Sequence, residues 1–250
     1  MKKLLLVSLF LLGCSGGTET KIIEVEKPPV IEPIIKGSIA LTIDDGVSLP
    51  FLIDSVEIFE RYESTATFYM SHYNEKYNED LLYLQSKGFE IGHHSLYHKS
   101  APEEVENTSM AIWLQDEVLN TLSRMTGSGI EIDTFAYPFG HYTLETNEAL
   151  KPYFSKVRGF GGTRLGDYSE GFHNDGYFYF GVSVDSAWLD RMSLMIAMDR
   201  ANETGETLVV GMHVISNEWE NDYKITLADL EFIIKYASEI GLEFKLMKDI

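Results

Sequence analysis

Three of the chain's seven histidines fall within the six positions 93–98. Two of them, His94 and His98, are four residues apart, and on one helical turn such a pair faces the same side and can bind one ion. A glutamate after the first histidine would indicate a zincin protease, but Ser95 stands there. Paired histidines also occur in cores and on surfaces, so a third ligand has to decide whether this pair binds a metal.

Two adjacent carboxylates offer that ligand. Asp44 and Asp45 follow the apolar run S-I-A-L-T-I and precede Gly46, which predicts a turn after a strand. Because neighbouring side chains on a turn diverge, one carboxylate can bind a metal while the other stays free as a base. Without a cation, the two charges would repel each other and raise the pKa of one carboxyl group. The pattern therefore favours a metal site.

The elements that must position these groups alternate along residues 37–250. Short apolar or β-branched runs predict strands, and stretches with helical spacing lie between most of them. This alternation predicts one α/β domain folded as a (β/α) barrel of seven or eight strands, distorted or incomplete, with a doubly wound open sheet as the alternative. The predicted strands are 38–43, 65–70, 89–92, 134–137, 155–157, 181–184, 207–212 and 243–247. The predicted helices are 52–62, 80–86, 102–124, 146–153, 190–202 and 227–240.

Polar residues that can do chemistry occupy one kind of place in this pattern, directly after a predicted strand. In α/β barrels the carboxyl ends of the strands carry the active site. Solvated polar residues placed at random would not select strand ends of one polarity, so these residues are predicted to form one site. They are Asp44, Asp45, His94, Tyr137, Asp185, Trp188 and His213. His93 also follows a predicted strand, but it faces the opposite way from His94 if the strand continues, so it is predicted to lie in the core or behind the site.

The same positions resemble the polysaccharide deacetylases of the NodB-homology type, carbohydrate esterase family 4. The family pattern T-F-D-D-G appears as T-I-D-D-G at residues 42–46, and H-[ST]-x-x-H appears as H-S-L-Y-H at 94–98. The third motif, ending P-[YF]-G, is F-A-Y-P-F-G at 135–140. The fourth, an Asp followed closely by Trp, is D-S-A-W at 185–188, and the fifth, L-x-H, is G-M-H at 211–213. The motifs stand in family order, and the first two together are specific.

By this resemblance, Asp45, His94 and His98 bind a divalent ion, most often zinc. Three protein ligands leave open positions for water and a substrate oxygen, as a catalytic site requires. The resemblance implies that Asp44 is the general base on that water. It also implies that the backbone N–H of Phe139 helps to stabilise the oxyanion.

The last two motifs carry the remaining implied roles. His213 protonates the leaving amine, and Asp185 holds and tunes His213. Trp188 forms a wall of the acetyl pocket. Tyr137 and Pro138, in the third motif, are expected to contact the substrate.

Three departures from the family pattern affect the expected site. Members often carry an arginine that pairs with the base where this chain has Ala136, so the pKa of the base is expected to rise unless Arg158 or Arg164 supplies the cation. Gly211 replaces the leucine of the fifth motif and is expected to remove apolar wall from the acetyl pocket. The fourth motif is one residue short and lacks its second acid. These changes leave the predicted metal ligands intact. They make the identity of the substrate less defined, and they are compatible with weakened catalysis.

The N-terminal segment M-K-K-L-L-L-V-S-L-F-L-L-G-C has a basic start and an apolar run too short to span a bilayer, which predicts a secretory signal. Its end resembles a bacterial lipobox, in which Cys14, the chain's single cysteine, becomes the lipidated first residue. We therefore expect a lipoprotein signal peptide at 1–14, a flexible tether at 15–36 and a deacetylase-like catalytic domain at 37–250. The protein is expected to be exported and lipid-anchored in the cell envelope.

The formal net charge of −19 and the pI near 4.7 restrict the partners. Nucleic-acid binders carry basic surfaces, and none is visible in this sequence. An anionic polymer is also disfavoured, because repulsion would oppose the encounter. A neutral or cationic glycan suits this charge better, and the chain is expected to be a monomer.

These observations predict a metal-dependent hydrolase that removes acetyl groups from an N-acetylated polysaccharide or oligosaccharide. Two alternatives stay open: an O-acetyl polysaccharide esterase, and a non-catalytic glycan-binding lipoprotein that keeps the metal. A facial-triad Fe(II) oxygenase shares the ligand set, but it is usually built on a double-stranded β-helix, which the strand–helix alternation argues against.

Overall fold

The computed structural model describes residues 36–161 and 164–250. The predicted signal peptide with Cys14 and the predicted tether up to residue 35 lie outside the described residues. The strands are β1 Ser38–Asp44, β2 Thr67–Met70, β3 Glu90–His93, β4 Ile132–Ala136, β5 Lys156–Gly161, β6 Phe172–His173, β7 Phe178–Ser183, β8 Thr207–Met212, β9 Val214–Ile215, β10 Lys224–Ile225 and β11 Glu243–Phe244. The helices are α1 Leu49–Arg61, α2 Asn78–Ser86, α3 Ala101–Asn107, α4 Met110–Trp113, α5 Asn120–Gly127, α6 Leu144–Leu150, α7 Arg191–Thr204 and α8 Leu227–Glu239.

Seven parallel strands close into a barrel in the order β1-β2-β3-β4-β5-β7-β8. The closing pair is β1 with β8, which run parallel from Ser38↔Thr207 to Ile43↔Met212. The prediction of a (β/α) barrel is therefore confirmed, and the open sheet is wrong, because an open sheet leaves its edge strands unpaired. Of the predicted strand 243–247, only β11 is extended, and it pairs with β1 beside the ring. A 3-10 turn follows at Met247–Asp249.

The predicted helix at 102–124 is the largest local difference. It is divided, because Ser109 is extended and its side chain accepts a hydrogen bond from the backbone N–H of Ile112, starting a new helix at Met110. Between α4 and α5 the chain forms a π-helix at Leu114–Leu119. Thr108 and Ser109 were the available signal for the break, but the apolar residues on either side keep helical spacing through it.

The barrel is filled by side chains that come from several strands. Ala40, Tyr69, Ala136, Tyr179 and Val209 lie on five different barrel strands, yet they pack into one buried cluster with Met247. A larger apolar layer lies between the strands and the surrounding helices. With the interior packed, the chemistry is confined to the edge where the parallel strands end.

Two of the helices are followed by glycines that end them. Gly88 and Gly241 adopt φ angles of 88° and 81° after α2 and α8, a backbone conformation that ends helices and suits glycine. Among the helices of residues 36–161 and 164–250, none combines the length and apolar character needed to cross a membrane.

Candidate active site

The turn after β1 separates the two adjacent carboxylates. Asp44 is the last residue of β1 and is buried, whereas the Asp45 side chain is 26% exposed. Asp45 adopts a φ of 75° and a ψ of 134°, a sparsely populated conformation that costs a non-glycine residue roughly 1–3 kcal/mol. This reversal places the two side chains in different surroundings, as the divergence of neighbouring turn residues predicted.

Asp45, His94 and His98 converge. The Asp45 Oδ1 atom lies 3.2 Å from His98 Nε2 and 3.6 Å from His94 Nε2. One ligand atom from each residue lies within 4.8 Å of the other two. Ligands bind zinc at about 2.0–2.2 Å, so donors on one tetrahedral ion lie roughly 3–4 Å apart. The three donors therefore fit a single divalent cation with little adjustment.

The orientation of His94 is fixed from behind. Its Nδ1–H donates to the backbone carbonyl of Ala136 at 2.8 Å, which leaves Nε2 free to face Asp45. Metal-binding histidines are commonly held by this kind of hydrogen bond. Burial lowers the pKa of His94 to about 4, so the imidazole is neutral at pH 7, as a metal ligand has to be.

The two histidines do not share a helical turn, so that part of the prediction is wrong. They lie in a loop after β3 in which Ser95 and His98 have φ angles of 61° and 53°. The buried carboxylate of Glu117, on the π-helix, accepts hydrogen bonds from Ser95 Oγ at 2.5 Å and from the Tyr97 N–H at 2.9 Å. The convergence was predicted correctly, but it arises from a loop held by a distant carboxylate.

A buried arginine holds the second carboxylate. Arg158 Nη2 lies 2.5 Å from both oxygens of Asp44, and the arginine is fully buried. Arg158 on β5 is the register partner of Ala136 on β4, so the cation absent at position 136 comes from the neighbouring strand. Arg164, the other arginine considered, is exposed.

The pairing reverses the expected change in acidity of Asp44. Burial raises the pKa of this carboxyl group, but the charges of Arg158 and then His94 lower it, and the net shift is downward. The rise expected for a base without a cationic partner does not occur, because Arg158, one of the two arginines considered for this role, supplies the cation. Asp44 is a carboxylate at neutral pH and can accept a proton.

An ion pair lies beside these groups, because His213 follows β8, the strand that pairs with β1. His213 Nδ1 lies 2.7 Å from Asp185 Oδ2, and the backbone N–H of His213 donates to Asp185 Oδ1 at 3.0 Å. Burial lowers the pKa of His213, but the hydrogen bond and charge of Asp185 more than offset this, and the pKa rises to about 9. His213 is thus protonated at neutral pH and can donate a proton.

A family comparison agrees with this geometry. Residues 33–153 match the family model described as polysaccharide deacetylase. This part of the chain is therefore similar to polysaccharide deacetylases. The match confirms the prediction of an enzyme of the polysaccharide deacetylase class. Enzymes of this class act on an acetylated glycan. It covers the first three motifs and ends before Arg158, Asp185 and His213, which the structure adds to the deacetylase site.

Solved structures agree on the fold of the deacetylase. A carbohydrate esterase family 4 esterase from Streptococcus mutans matches with a TM-score of 0.60 and 20% identity, covering 85% of this chain and 87% of that one. The peptidoglycan deacetylase PdaC from Bacillus subtilis matches at 0.51 and 22%, covering 84% and 88%. A family 4 pseudoenzyme from Bacillus anthracis matches at 0.61 and 17%, covering 86% and 66%. No curated protein matches the chain in sequence.

The site of the deacetylase opens into a cavity of about 500 Å³. Asp185 lies behind His213 and is fully buried, whereas the other predicted metal and catalytic residues and Trp188 line the cavity. These lining residues are Asp44, Asp45, His94, His98, Phe139, Trp188 and His213.

Two predicted substrate contacts of the deacetylase do not reach the cavity. Tyr137 is fully buried in an apolar cluster, with its ring 5.0 Å from that of Phe135, and Pro138 is buried as well. The exposed residue of this motif is Phe139, which has a φ of 59° and is 59% exposed. The centroid of its ring lies 4.6 Å from that of His98. The predicted side-chain contacts by Tyr137 and Pro138 are therefore not supported by this placement.

Sequence reasoning missed the apolar wall that Phe160 gives the deacetylase. The predicted strand 155–157 stops too early, since β5 runs to Gly161 and carries Arg158 and Phe160 on one face. A Cβ atom at Gly211 would lie 2.4 Å from Phe160 Cζ, so the phenyl ring fills the space beside this glycine. The expected loss of wall at Gly211 is therefore wrong. The alternation of residues 156–161 was the available signal.

A second missed wall comes from the segment between β9 and β10. Trp219, Asn221 and Tyr223 line the cavity at every second position. The Tyr223 ring lies 5.2 Å from that of Trp188 and 5.4 Å from that of His213. The aromatic residues of the deacetylase that could contact a sugar are therefore concentrated at this side of the mouth.

Proposed function

We propose that the protein is a metal-dependent deacetylase that removes acetyl groups from an N-acetylated polysaccharide or oligosaccharide. The observation that carries this proposal is the meeting of three arrangements in one cavity: the donors of Asp45, His94 and His98, the carboxylate of Asp44, and the protonated imidazole of His213. A metal site, a base and an acid are the groups that amide hydrolysis requires.

The ion is proposed to be zinc, held by Asp45, His94 and His98. One carboxylate and two imidazoles suit zinc, and a three-residue ligand set leaves room for water and substrate. When bound, such an ion lowers the pKa of a coordinated water from 15.7 toward about 7 and polarises a carbonyl group. The Ala136 carbonyl and Glu117 keep the two histidines in place for this role.

Asp44 is proposed to remove the proton from the attacking water. Its carboxylate is ionised because Arg158 offsets the cost of burial, and its Oδ2 atom lies 3.8 Å from His94 Nε2, beside the predicted metal position. The water oxygen then forms a bond to the acyl carbon while the proton passes to Asp44. Arg158 keeps the carboxylate oriented during this transfer.

His213 is proposed to complete the reaction by donating its proton to the leaving nitrogen. The carbon–nitrogen bond breaks, the acetyl group leaves as acetate, and the sugar keeps a free amine. Asp185 stabilises the protonated imidazole before the transfer and fixes which nitrogen faces the cavity. The N–H of Phe139 is proposed to donate to the oxyanion, and Trp188 to contact the acetyl group.

Two alternatives are weighed by specific observations. A non-catalytic glycan-binding role was suggested by Ala136 and Gly211, and it resembles the pseudoenzyme status of the Bacillus anthracis protein. Arg158 and Phe160 supply what those two positions lack, so we favour catalysis. The O-acetyl esterase uses the same groups on a better leaving group, and only a substrate comparison separates it from the amidase.

Acetate release tests the proposal. The purified protein, stripped with a chelator and reloaded with zinc, is expected to release acetate from N-acetylglucosamine oligomers, and Asp44→Asn is expected to abolish the release. Faster release from acetylxylan than from N-acetylated oligomers would assign O-deacetylation. No release from any acetylated glycan in a broad panel, by protein with bound zinc, would refute the deacetylase activity.

The same proposal extends to location. We propose that Cys14 carries a lipid that anchors the protein in the cell envelope, where an acetylated glycan is accessible, and that the mature protein is a monomer. Labelling of cells with an alkyne fatty acid should mark the wild type and not Cys14→Ser. A wild type that stays unlabelled in the soluble fraction would contradict the anchor. Size measurement of the purified protein tests the monomer.

A further inference from the structure

The ring of Phe160 lies between the two halves of the proposed catalytic apparatus. The guanidinium of Arg158 lies 4.4 Å from the ring centroid, a distance at which a cation is attracted to the ring face. The imidazole of His213 is nearly parallel to the phenyl ring, with centroids 6.1 Å apart and planes 13° apart. Phe160 thus contacts the group that holds the base and the group that acts as acid.

The phenyl ring also explains why position 211 is a glycine. A Cβ atom there would lie 2.4 Å from Phe160 Cζ and 2.8 Å from Phe160 Cε1, and 3.3 Å from Thr42 Oγ1. Contacts below 3.0 Å are not tolerated without movement, so a side chain at Gly211 and the present position of Phe160 exclude each other. The two positions are therefore coupled through shared space.

The direction of the substrate follows from the size of a glycan. A polymer has to leave through the open mouth of the cavity, so the acyl group, at the other end of the scissile bond, points to the closed side. On that side the cavity wall includes Phe160, which is partly buried, with the fully buried Arg158 beneath it. A longer acyl chain would have to occupy the volume of the phenyl ring.

We propose that Phe160 is a specificity-determining residue that limits the acyl group to acetyl, and that Gly211 is a glycine because the ring needs its space. This inference rests on the proposed deacetylase function and names the part of the substrate that the site selects. It predicts that the residue that limits the size of the acyl group can stand either at position 160 or at position 211.

A matched set of variants tests the inference. Acetyl, propionyl and butyryl groups on one glucosamine oligomer are compared for wild type, Phe160→Ala, Gly211→Leu and the double variant. The ratio of kcat/KM for butyryl over acetyl is expected to rise at least about tenfold in Phe160→Ala, since each methylene accommodated by an apolar pocket changes discrimination by about 10-fold or more. Gly211→Leu alone should lose activity, and the double variant should regain activity and the acetyl preference.

Trp188→Ala is the comparison variant, because Trp188 is another aromatic wall of the same cavity. If Trp188→Ala widens the acyl range and Phe160→Ala does not, the inference is overturned. Phe160→Leu, which keeps apolar volume beside Arg158, guards against a general loss of folding, and melting curves are recorded for every variant.

A binding measurement keeps the inference separate from the proposed function. Acetohydroxamate and butyrohydroxamate are titrated into the zinc-loaded protein by calorimetry, which requires no turnover. The wild type is expected to prefer acetohydroxamate, and Phe160→Ala is expected to lose that preference. One outcome is that the wild type turns over no substrate and still prefers acetohydroxamate, with that preference lost in Phe160→Ala. In that case the proposed deacetylase activity fails and the inference on Phe160 stands. An unchanged preference in Phe160→Ala overturns the inference.

Discussion

Arg158 binds Asp44 from the strand next to the one on which the sequence motif carries its arginine. The guanidinium Nη2 lies 2.5 Å from both carboxylate oxygens, and Arg158 is the register partner of Ala136. Parallel pairing brings register partners to the same height in the barrel, so a side chain from either strand can reach Asp44. One chemical pair can thus be built from two different sequence positions.

Removing Arg158 is expected to impair both stability and catalysis. Arg158→Ala leaves the buried Asp44 charge without its partner, a change that costs about 3–5 kcal/mol of the free energy of unfolding. The pKa of Asp44 should rise, and kcat should fall. Denaturant unfolding and acetate release measure the two effects. The exposed Arg164→Ala is the control, and equal effects of both variants would contradict the role of Arg158.

We also expect that the arginine that pairs with Asp44 can be moved to the neighbouring strand. The double variant Arg158→Ala with Ala136→Arg returns the arginine to the neighbouring strand, where register allows it to reach Asp44. It should be more active than Arg158→Ala alone. A crystal structure of the double variant would show the new pair, and an activity no higher than that of the single variant would argue that β5 alone can place the cation.

Deprotonation of His213 is expected to set the alkaline limit of activity. The pKa of His213 is raised to about 9, above the ordinary value of about 6.5. The pairing with Asp185 therefore contributes fully to the stability of the fold below about pH 6.5. This contribution is lost as the pH rises through about 9. Activity should fall over the same upper range. Asp185→Asn should shift this limb to lower pH, as read from pH–rate profiles.

Ser183→Ala is the matched control for that experiment. Ser183 Oγ donates to Asp185 Oδ2 at 3.0 Å, but the serine does not contact the His213 ring nitrogen. The control should therefore move the alkaline limb less than Asp185→Asn does. An alkaline limb that stays in place in Asp185→Asn would show that another group sets it.

Metal binding is expected to depend on His98 and not on its neighbour His72. The His72 ring stacks at 6.5 Å from that of His98, but His72 is not among the three converging donors. Elemental analysis should find one divalent ion per chain in the wild type and in His72→Ala, and less in His98→Ala. Chelation should stop acetate release, and added zinc should restore it. Full metal content in His98→Ala would contradict the site.

Glu117 is expected to control metal affinity without touching the ion. Glu117→Ala removes the acceptor for Ser95 Oγ and the Tyr97 N–H, and loss of such supporting contacts weakens metal binding about 10–100-fold. Glu117→Gln keeps an oxygen acceptor and should largely retain the affinity measured by calorimetry. Glu104→Gln is the control, because Glu104 also pairs with Lys99, whereas Ser95 Oγ and the Tyr97 N–H donate to Glu117. Equal affinities for Glu117→Ala and wild type would contradict the role.

The sequence by itself determined the alternation of strands and helices, the strand order along the chain and the groups that meet at the strand ends, whereas the pairing of β1 with β8, which closes the barrel, came from the tertiary structure. Alternating strand and helix patterns are local, and they require parallel strands whose carboxyl ends share one edge. Asp44, Asp45, His94 and His213 follow strands in that pattern, so their proximity could be predicted. The short strand at 155–157 was the weak point, because glycines at 159 and 161 blur the end of β5.

Only the tertiary structure decided how those groups are supported. Arg158 reaches Asp44 through the register of β4 and β5, Phe160 fills the space beside Gly211, and Glu117 holds the histidine loop from a π-helix. Each of these contacts joins residues far apart in sequence, and periodicity within one segment carries no information about register or packing between segments. The sequence therefore determined which chemistry the site contains, while strand register and packing decided which residues hold it in place.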